Sequence, residues 1–261
     1  MYPVKSLAGV DVVEAEVEPW GLRHDRRWLV LDPDGTPLTA RMEHAMLGIT
    51  AAPSDGGIVL TSSDSMLRVD EPVDGELVPT TLSRLDSVRH AGGEADEWLS
   101  GALRRSVRLG WLDDPQRRTV SEAHGGRPGD FLNLSDAGPL LLTASASLDQ
   151  LNRWIAPGAP VAMTRFRPSI VVELDEEPFA EDAWTNVRVG DVDFRLGEHC
   201  DRCAMTMIDP QSLAVGKEPL RTLARHRRWN GKTWFGIRLV PVTTGAIRVG
   251  DVVTCERRSR S

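Results

Sequence analysis

Residues 186–205 read NVRVGDVDFRLGEHCDRCAM, and this stretch decides the fold class. Its first half alternates apolar and polar residues around Gly190 and Asp191, a pattern typical of two short strands joined by a tight turn. A second stretch, AIRVGDVVT at residues 246–254, repeats the pattern. Such hairpins indicate barrel-like antiparallel structure rather than a parallel sheet.

The remaining sequence also favours β structure. RRWLVLD (26–32) and PLTAR (37–41) flank a Pro-Asp-Gly turn and predict a hairpin, and residues 47–70 contain three apolar runs separated by turn residues, which predict a meander. Other predicted elements are helices at 93–103 and 144–155, and strands at 106–112, 138–143 and 168–174. We therefore predict a mainly β chain with short helices (α+β), in which one β-barrel domain follows another.

A polar, aperiodic segment divides the sequence. DDPQRRTVSEAHGGRPGD, residues 113–130, contains no regular apolar spacing and is Gly-rich near its end. This composition is typical of a linker or mobile loop. We expect an N-terminal β-barrel domain over residues 1–112 and a second domain over residues 131–257.

Composition restricts the partners and the compartment. The 261 residues carry a formal net charge of −7, which argues against nucleic acid as a partner. Only three of the 31 basic residues are lysines, so an arginine pocket for a single phosphate is compatible with the acidic total. Three cysteines form no disulfide framework, and no run approaches the roughly 18 apolar residues of a membrane span. We expect a cytoplasmic protein without a membrane partner.

Cys200 and Cys203 form a C-x-x-C pair that allows several interpretations. A structural zinc site needs four ligands, yet only Cys255 remains as a thiol and no two histidines lie three to five residues apart. A thioredoxin-like site needs a helix directly after the pair, whereas Asp209-Pro210 leaves no room for a long one. Two ordinary thiols near a strand end remain possible.

Four other stretches carry groups suited to a phosphate. YPVKS (2–6) places a cation beside a hydroxyl, and LRHDRRW (22–28) groups three arginines. LLTASASL (141–148) leads a strand into a hydroxyl-rich helix start, where free N–H groups favour anions, and we expect Ser145 or Ser147 to cap that helix. RFRPS (165–169) places two arginines on one face if the segment is extended.

In this order, these stretches resemble the MOSC-domain family, in the branch with an N-terminal β-barrel domain that includes the amidoxime-reducing components. The similarity covers nearly the whole chain and includes GLRHDRRW, SDAGPLLLTASASLDQLN, RFRPSIVV, AEDAW and VRVGDVDFRLGEHCDRCAMTMIDP. Two features depart from the family. Relatives carry several residues of strand before YPVKS, so we expect either a truncated first strand or a misassigned start site. Many relatives also have Asn where this chain has Ser169.

The resemblance implies a molybdenum cofactor, a molybdopterin whose dithiolene sulfurs bind the metal together with the thiolate of Cys203. A soft thiolate suits a metal already held by sulfur. The resemblance also implies that the cofactor is bound by Lys5, Ser6, Arg26, Thr143, Ala144, Ser145, Arg167, Ser169, Asp201, Arg202 and Cys203. Asp201 and His199 are candidates for the proton source.

The implied function is a molybdenum oxidoreductase that reduces N-hydroxylated compounds such as amidoximes, hydroxylamines and N-hydroxylated bases. Three cysteines cannot hold an iron–sulfur cluster of the four-cysteine kind in addition to the metal. Electrons are therefore expected from a separate flavin, iron–sulfur or cytochrome protein. The alternative is a sulfur carrier or cofactor-handling MOSC protein that uses a cysteine persulfide.

Overall fold

The structure is a computed structural model, which describes residues 1–173 and 175–257. It is mainly β, with three α-helices in these ranges and a sheet curled into a half-barrel, so the predicted fold class is confirmed. Leu174, the last residue of the predicted strand 168–174, lies outside the described residues. Contacts divide the chain into two compact units built from interleaved segments. Unit 1 comprises Met1–Val12, His24–Thr119 and Phe131–Asp136, and unit 2 comprises Val13–Arg23, Val120–Asp130 and Ala137–Ser261.

Unit 1 contains two antiparallel sheets and one helix. Its four-stranded sheet has the order β3-β9-β8-β7, and its three-stranded sheet has the order β4-β5-β6. The strands are β3 (Trp28–Leu31), β4 (Thr50–Ser54), β5 (Gly57–Thr61), β6 (Met66–Asp70), β7 (Leu77–Pro79), β8 (Ser87–His90) and β9 (Arg108–Trp111). The helix α1 (Gly93–Leu103) buries Ala95, Leu99 and Leu103, which lie four residues apart on one face.

The predicted elements of unit 1 form with one difference. The meander at residues 47–70 is confirmed as β4, β5 and β6. The hairpin predicted at 26–41 has one regular strand, β3, and its second arm is reduced to a single bridge between Leu31 and Pro37. The bridge is flanked by hydrogen bonds from the Asp32 N–H to the Thr36 carbonyl (2.8 Å) and from the Leu38 N–H to the Val30 carbonyl (2.8 Å). Pairing does not continue towards the start of β3, because the Trp28 carbonyl accepts instead from the Lys5 N–H (2.7 Å).

Unit 2 contains a large mixed sheet. Its strand order is β11-β10-β15-β13-β12-β17, with β14 also paired to β15, and a smaller sheet has the order β16-β1-β2. The strands are β1 (Glu14–Glu18), β2 (Gly21–Leu22), β10 (Leu140–Ala144), β11 (Ile170–Val172), β12 (Trp184–Val189), β13 (Val192–Asp201), β14 (Arg228–Trp229), β15 (Lys232–Pro241), β16 (Gly245–Arg248) and β17 (Val253–Arg257). The helices are α2 (Ser145–Ile155) and α3 (Leu220–His226).

The two similar VGD stretches form different strand pairings. Residues 186–195 form the predicted hairpin, in which β12 pairs with β13 around Gly190 (φ +56°), a backbone angle that glycine adopts without strain. The second predicted hairpin, at 246–254, is wrong. There β16 pairs with β1 and β17 pairs with β12, so each arm has a partner distant in sequence. Local patterning does not encode such long-range pairing.

The helix α2 connects β10 to β11, and these two strands are parallel. Neither predicted serine caps the helix, because Ala144 occupies the N-cap position without a side-chain hydrogen bond. Instead, Ser145 Oγ donates to the Val172 carbonyl (3.3 Å), and Ser147 Oγ donates to the Glu181 carboxylate (2.8 Å). Both hydroxyls therefore connect the start of α2 to later segments of the same chain, at Val172 and Glu181.

The segment predicted as a linker, 113–130, makes defined contacts. Arg117 forms an ion pair with Asp113 in unit 1 (3.0 Å). In unit 2, His124 lies 2.7 Å from the Glu198 carboxylate, and a side chain at Gly125 would meet the Gly197 carbonyl at 2.2 Å. Both halves of the segment are thus held by contacts within their own units, and the domain bounds around it remain a prediction. No helix in the described ranges is long and apolar enough to cross a membrane.

Candidate functional site

The two cysteines of the C-x-x-C pair have different surroundings. Cys200 lies near the end of β13 and is only 5% exposed, whereas Cys203 is exposed. Cys203 precedes a 3-10 turn, Ala204–Met207, and its carbonyl accepts hydrogen bonds from the backbone N–H (3.1 Å) and hydroxyl (3.0 Å) of Thr206. The position of Cys203 is therefore fixed by its backbone, while its thiol remains available to a ligand.

Arg202 connects this loop to its surroundings. Its Nη1 lies 2.8 Å from the Cys200 Sγ and its Nη2 donates to the Phe166 carbonyl (2.8 Å). The Arg202 guanidinium also lies over the Phe166 ring, and its backbone N–H donates to the Thr233 carbonyl (2.8 Å). The Arg202 Nε is buried, and no acceptor in the described ranges reaches it. A buried donor without an acceptor is costly, so this atom favours a bound anion or carbonyl group.

Asp201 lies between two cations. Arg238 Nη2 donates to it (2.8 Å) and Lys232 Nζ lies 3.5 Å away. Burial raises the pKa of Asp201, but Arg238 and Lys232 outweigh that effect, and the pKa lies below the ordinary Asp value. An ionised Asp201 accepts hydrogen bonds but has no proton to give at neutral pH, which weakens its candidacy as the proton source.

Arg238 is the ion-pair partner shared by two acidic residues of β13. It forms ion pairs with Glu198 and Asp201. Burial lowers the pKa of Arg238, but Cys200, Glu198 and Asp201 together raise it above the ordinary arginine value. Arg238 thus compensates for the negative charge of Glu198 and Asp201.

His199 directly precedes Cys200 in β13, at a point where the pairing of β13 with β15 shifts register. Its Nε2 lies 3.1 Å from the Asp182 carbonyl oxygen, so Nε2 carries the proton of that hydrogen bond. The ring also makes edge contacts with Trp229 and Trp234, 6.0 Å between centroids. His199 is held in place by these contacts.

The predicted extended arrangement of Arg165 and Arg167 is wrong. Met163–Phe166 forms a 3-10 turn, and Arg167 follows it with a left-handed backbone (φ +56°). Strand alternation therefore does not apply, and Arg165 pairs instead with Asp209 (2.6 Å). Arg167 directly follows Phe166, whose carbonyl accepts from Arg202, so the two segments meet at this point.

Other predicted ligands of unit 2 lie at or beside the end of β10. The Thr143 side chain is buried and its Oγ1 lies 3.2 Å from the Met163 Sδ. Ala144 is buried and ends the strand. The Ser169 backbone N–H donates to the Leu141 carbonyl (2.8 Å), which fixes Ser169 beside the strand. The end of β10 therefore connects to the 163–167 segment, and that segment to the cysteine loop.

The three predicted ligands of unit 1 lie in two adjacent segments. The Lys5 ammonium donates to the Leu134 carbonyl (2.9 Å) and pairs with Asp136. Burial is the main cause that lowers the pKa of Lys5, and Asp136 opposes it. Ser6 and Arg26 both have left-handed backbones (φ +70° and +49°), and the Arg26 guanidinium lies 5.0 Å from the Tyr2 ring centroid.

Sequence reasoning missed Arg238 and Glu198. Arg238 lies 37 residues after Asp201, within the apolar run 234–240 of β15, so only the pairing of β13 with β15 brings them together. A charged residue inside an apolar strand was the one available signal, since such a residue is rarely buried without partners. In the described ranges, no group of three or more His, Cys, Asp or Glu side chains forms a metal-binding set.

Comparisons with known proteins identify the family. A model of the MOSC N-terminal beta barrel domain matches residues 1–106, and a model of the MOSC domain matches residues 124–254. Mitochondrial amidoxime-reducing component 1 of Mus musculus is 34% identical over 273 residues, covering 97% of this chain and 79% of the relative. The Homo sapiens protein of the same name is 33% identical, covering 97% and 80%.

A second kind of relative matches the same residues. Molybdenum cofactor sulfurase of Solanum lycopersicum is 29% identical over 263 residues, which cover 92% of this chain but 32% of that protein. Both kinds of relative match more than nine tenths of this chain, and therefore both matched domains. The chain therefore belongs to the MOSC-domain family, in the form that carries an N-terminal MOSC β-barrel domain.

Proposed function

We propose that this protein is a molybdenum-cofactor-dependent oxidoreductase that reduces N-hydroxylated compounds, with electrons from a separate protein. The observation that carries the proposal is the exposed Cys203 beside the buried, unpartnered Nε of Arg202. One group offers a soft metal ligand and the other a donor for an anion or carbonyl. The similarity to amidoxime-reducing components over 97% of the chain supports the same function.

The residues of the cysteine loop fit a molybdopterin. A metal bound through Cys203 needs further ligands, and the described ranges contain no cluster of His, Cys, Asp and Glu that supplies them. A cofactor that brings its own dithiolene sulfurs meets this need. When bound, the cofactor supplies two-electron redox chemistry at its metal.

The chain's own residues would bind and orient this cofactor. Cys203 would supply the thiolate, Arg202 would donate to an acceptor of the cofactor, and Asp201 would accept from its N–H groups. Thr143, Ala144, Ser145, Arg167 and Ser169 of unit 2 remain the proposed ligands of its phosphate and pterin. For Lys5, Ser6 and Arg26 of unit 1, a role in cofactor binding is what the family resemblance implies. Charge-assisted bonds from buried arginines contribute roughly 1.5–3 kcal/mol each.

Reduction of an amidoxime consumes two electrons and two protons, breaks the N–O bond and releases an amidine and water. Asp201 is poorly suited to supply a proton, because its pKa is lowered and it faces Arg238. His199 is hydrogen-bonded through Nε2 to a backbone carbonyl, which leaves its Nδ1 for exchange with solvent or substrate. We therefore retain His199 as the proposed proton relay.

An activity assay tests the proposal. The protein is produced in a host that makes the cofactor, and benzamidoxime reduction is followed with dithionite-reduced riboflavin as an artificial donor. We expect benzamidine formation that is lost in Cys203→Ser and kept in the matched control Cys255→Ser. A cofactor-loaded protein that reduces no amidoxime, hydroxylamine or N-hydroxylated base would refute the proposed reaction.

The second candidate function is sulfur transfer or cofactor handling. It is favoured by the match to a molybdenum cofactor sulfurase and by the exposed thiol of Cys203, which is accessible to a sulfur donor. Intact-protein mass spectrometry of Cys203 distinguishes the two. A transferable persulfide (+32 Da, one sulfur atom) on a protein without a stably bound pterin would replace the reductase proposal with this one.

A further inference from the structure

The segment from residue 217 to residue 232, KEPLRTLARHRRWNGK, carries a net positive charge, opposite in sign to that of the whole chain. It contains six cations and one carboxylate, a net charge of +5 within a protein of net charge −7. The segment forms α3 and β14 and ends at the first residue of β15. Surface cations in an acidic protein are normally interspersed with carboxylates, so this concentration calls for a physical explanation.

Most of these cations face solvent. Lys217, Arg221, Arg225, Arg228 and Lys232 are all exposed, and we call this set the basic surface. Arg221 pairs with Glu218, and Lys232 lies 3.5 Å from Asp201. Lys217, Arg225 and Arg228 form no ion pair with any residue in the described part of the chain. The basic surface therefore retains positive charge that a partner can neutralise.

The sixth cation is used differently. Arg227 is half-buried, pairs with Asp182 and lies over the rings of Phe179 and Trp229, 4.1 and 4.8 Å from their centroids. It ties the end of α3 to Asp182 and Phe179, since a guanidinium that is both stacked and paired makes several contacts at once. The basic surface is thus anchored to other segments of unit 2.

The basic surface adjoins the cysteine loop at two points. The helix α3 packs against the turn Ala204–Met207 that directly follows Cys203. At the other end, the Arg202 backbone N–H donates to the Thr233 carbonyl (2.8 Å), and Asp201 pairs in register with Trp234. A protein bound to the basic surface would therefore lie next to the loop that carries Cys203.

We infer that the basic surface is the docking site of an acidic electron-donor protein. This inference rests on the proposed reductase function, because only a reductase without its own electron source needs such a partner. Complementary charge accelerates encounter and fixes orientation between two proteins, and this effect is strong at low salt. The position beside Cys203 brings the donor's redox group close to the proposed cofactor.

Direct binding measurements test the inference independently of catalysis. Three acidic probes are used, a plant-type [2Fe–2S] ferredoxin, a flavodoxin and a cytochrome b5, and Kd is measured by isothermal titration calorimetry at several salt concentrations. At least one probe should bind the wild type, with affinity that falls as salt rises. The double variant Arg225→Glu/Arg228→Glu should weaken that binding about tenfold or more and flatten its salt dependence.

Two further variants serve as controls. Arg108→Glu changes an exposed arginine of unit 1 by the same charge and should leave Kd within about twofold. Arg225→Gln/Arg228→Gln removes charge without reversing it, and should give an intermediate Kd even if the glutamate variant folds poorly. Benzamidoxime reduction driven by reduced riboflavin, a small donor that needs no protein docking surface, should be unchanged in all three variants.

The possible results separate this inference from the proposed function. Equal Kd in wild type and both double variants, or no binding of any probe, would overturn the docking site even if riboflavin-driven reduction proceeds. A second result would also overturn it: the double variants lose binding to anionic vesicles or RNA but bind the three protein probes like the wild type. The basic surface would then serve another class of partner. Probe binding that follows the predicted charge dependence, in a protein without reductase activity, would support the docking surface and refute the reductase proposal.

Discussion

The Sγ of Cys200 lies 2.8 Å from the Nη1 of Arg202, so the first cysteine of the pair holds an arginine rather than a metal. The same guanidinium donates to the Phe166 carbonyl. Arg202 is thereby kept next to the exposed Cys203 with its buried Nε unpartnered. The two cysteines consequently have separate roles, one in positioning and one as the proposed ligand.

Thiol reactivity should reflect this division. In protein freed of cofactor, iodoacetamide should modify Cys203 at least about tenfold faster than Cys200, because Cys200 is buried and Cys203 is exposed. Peptide mass mapping over a time course measures both rates. Equal rates, or faster modification of Cys200, would show that the loop is arranged differently, and bound cofactor should protect Cys203.

The bidentate geometry of the Arg202 guanidinium, and not only its charge, should contribute to retention of the pterin. Arg202→Lys keeps the cation but cannot contact Cys200 and Phe166 simultaneously, so we expect about tenfold weaker retention of pterin during dialysis. Fluorescence of the oxidised pterin after extraction measures retention. Arg153→Lys, at an exposed arginine of α2, is the matched control and should retain pterin like the wild type. Wild-type retention in Arg202→Lys would remove Arg202 from the proposed ligands.

Arg238 should stabilise the fold as well as the site. Arg238→Met leaves Glu198 and Asp201 without the cation they share. Removal of one member of a buried ion pair costs about 3–5 kcal/mol, and we expect a value at the lower end because Asp201 is partly exposed. Urea denaturation gives the change in the free energy of unfolding. Arg188→Met breaks an exposed pair with Asp193 and should leave the free energy of unfolding close to the wild-type value, because exposed ion pairs contribute little. Similar losses for both variants would contradict the assigned role of Arg238.

Glu181 should make stability depend on pH. Burial is the main cause that raises its pKa above the ordinary value of 4.5, and the Ser147 hydrogen bond opposes this. The folded state therefore binds this proton more tightly than the unfolded state. The resulting stability is fully present below about pH 4.5 and is lost as pH rises through the folded-state pKa.

Glu181→Gln should remove this dependence, because glutamine stays neutral. The free energy of unfolding of Glu181→Gln, relative to wild type, should rise with pH above about 4.5, with a slope of at most about 1.4 kcal/mol per pH unit. Any cost of the new amide shifts all points equally and leaves the slope unchanged. Urea denaturation between about pH 4 and pH 9 measures it. A difference that stays constant, as expected for the exposed control Glu122→Gln, would contradict the pKa shift.

Elements with strong local signals were predictable from the sequence. The helix at 93–103 and the meander at 47–70 form as predicted, because turn residues and apolar spacing act within a few residues. The hairpin predicted at 246–254 failed because β16 and β17 pair with distant strands. The geometry of Arg165 and Arg167 failed for another reason, since a 3-10 turn replaced the assumed strand.

The site was only partly accessible to the same reasoning. The C-x-x-C spacing directs attention to Cys200 and Cys203, but it cannot show that one thiol is buried against Arg202 and the other exposed. That difference depends on where β13 ends and where the following turn begins. Arg238 enters through cross-strand pairing over 37 residues, which no local pattern encodes. The cytoplasmic location remains a prediction.

Metal and pterin content tests the central claim most directly. Protein produced in a cofactor-competent host is analysed for molybdenum by mass spectrometry and for pterin by extraction, in wild type, Cys203→Ser, Cys200→Ser and Cys255→Ser. The account predicts near-stoichiometric molybdenum in wild type and Cys255→Ser, partial retention in Cys200→Ser, and loss of molybdenum in Cys203→Ser. A wild type without molybdenum, or a Cys203→Ser variant that retains it fully, would contradict the account.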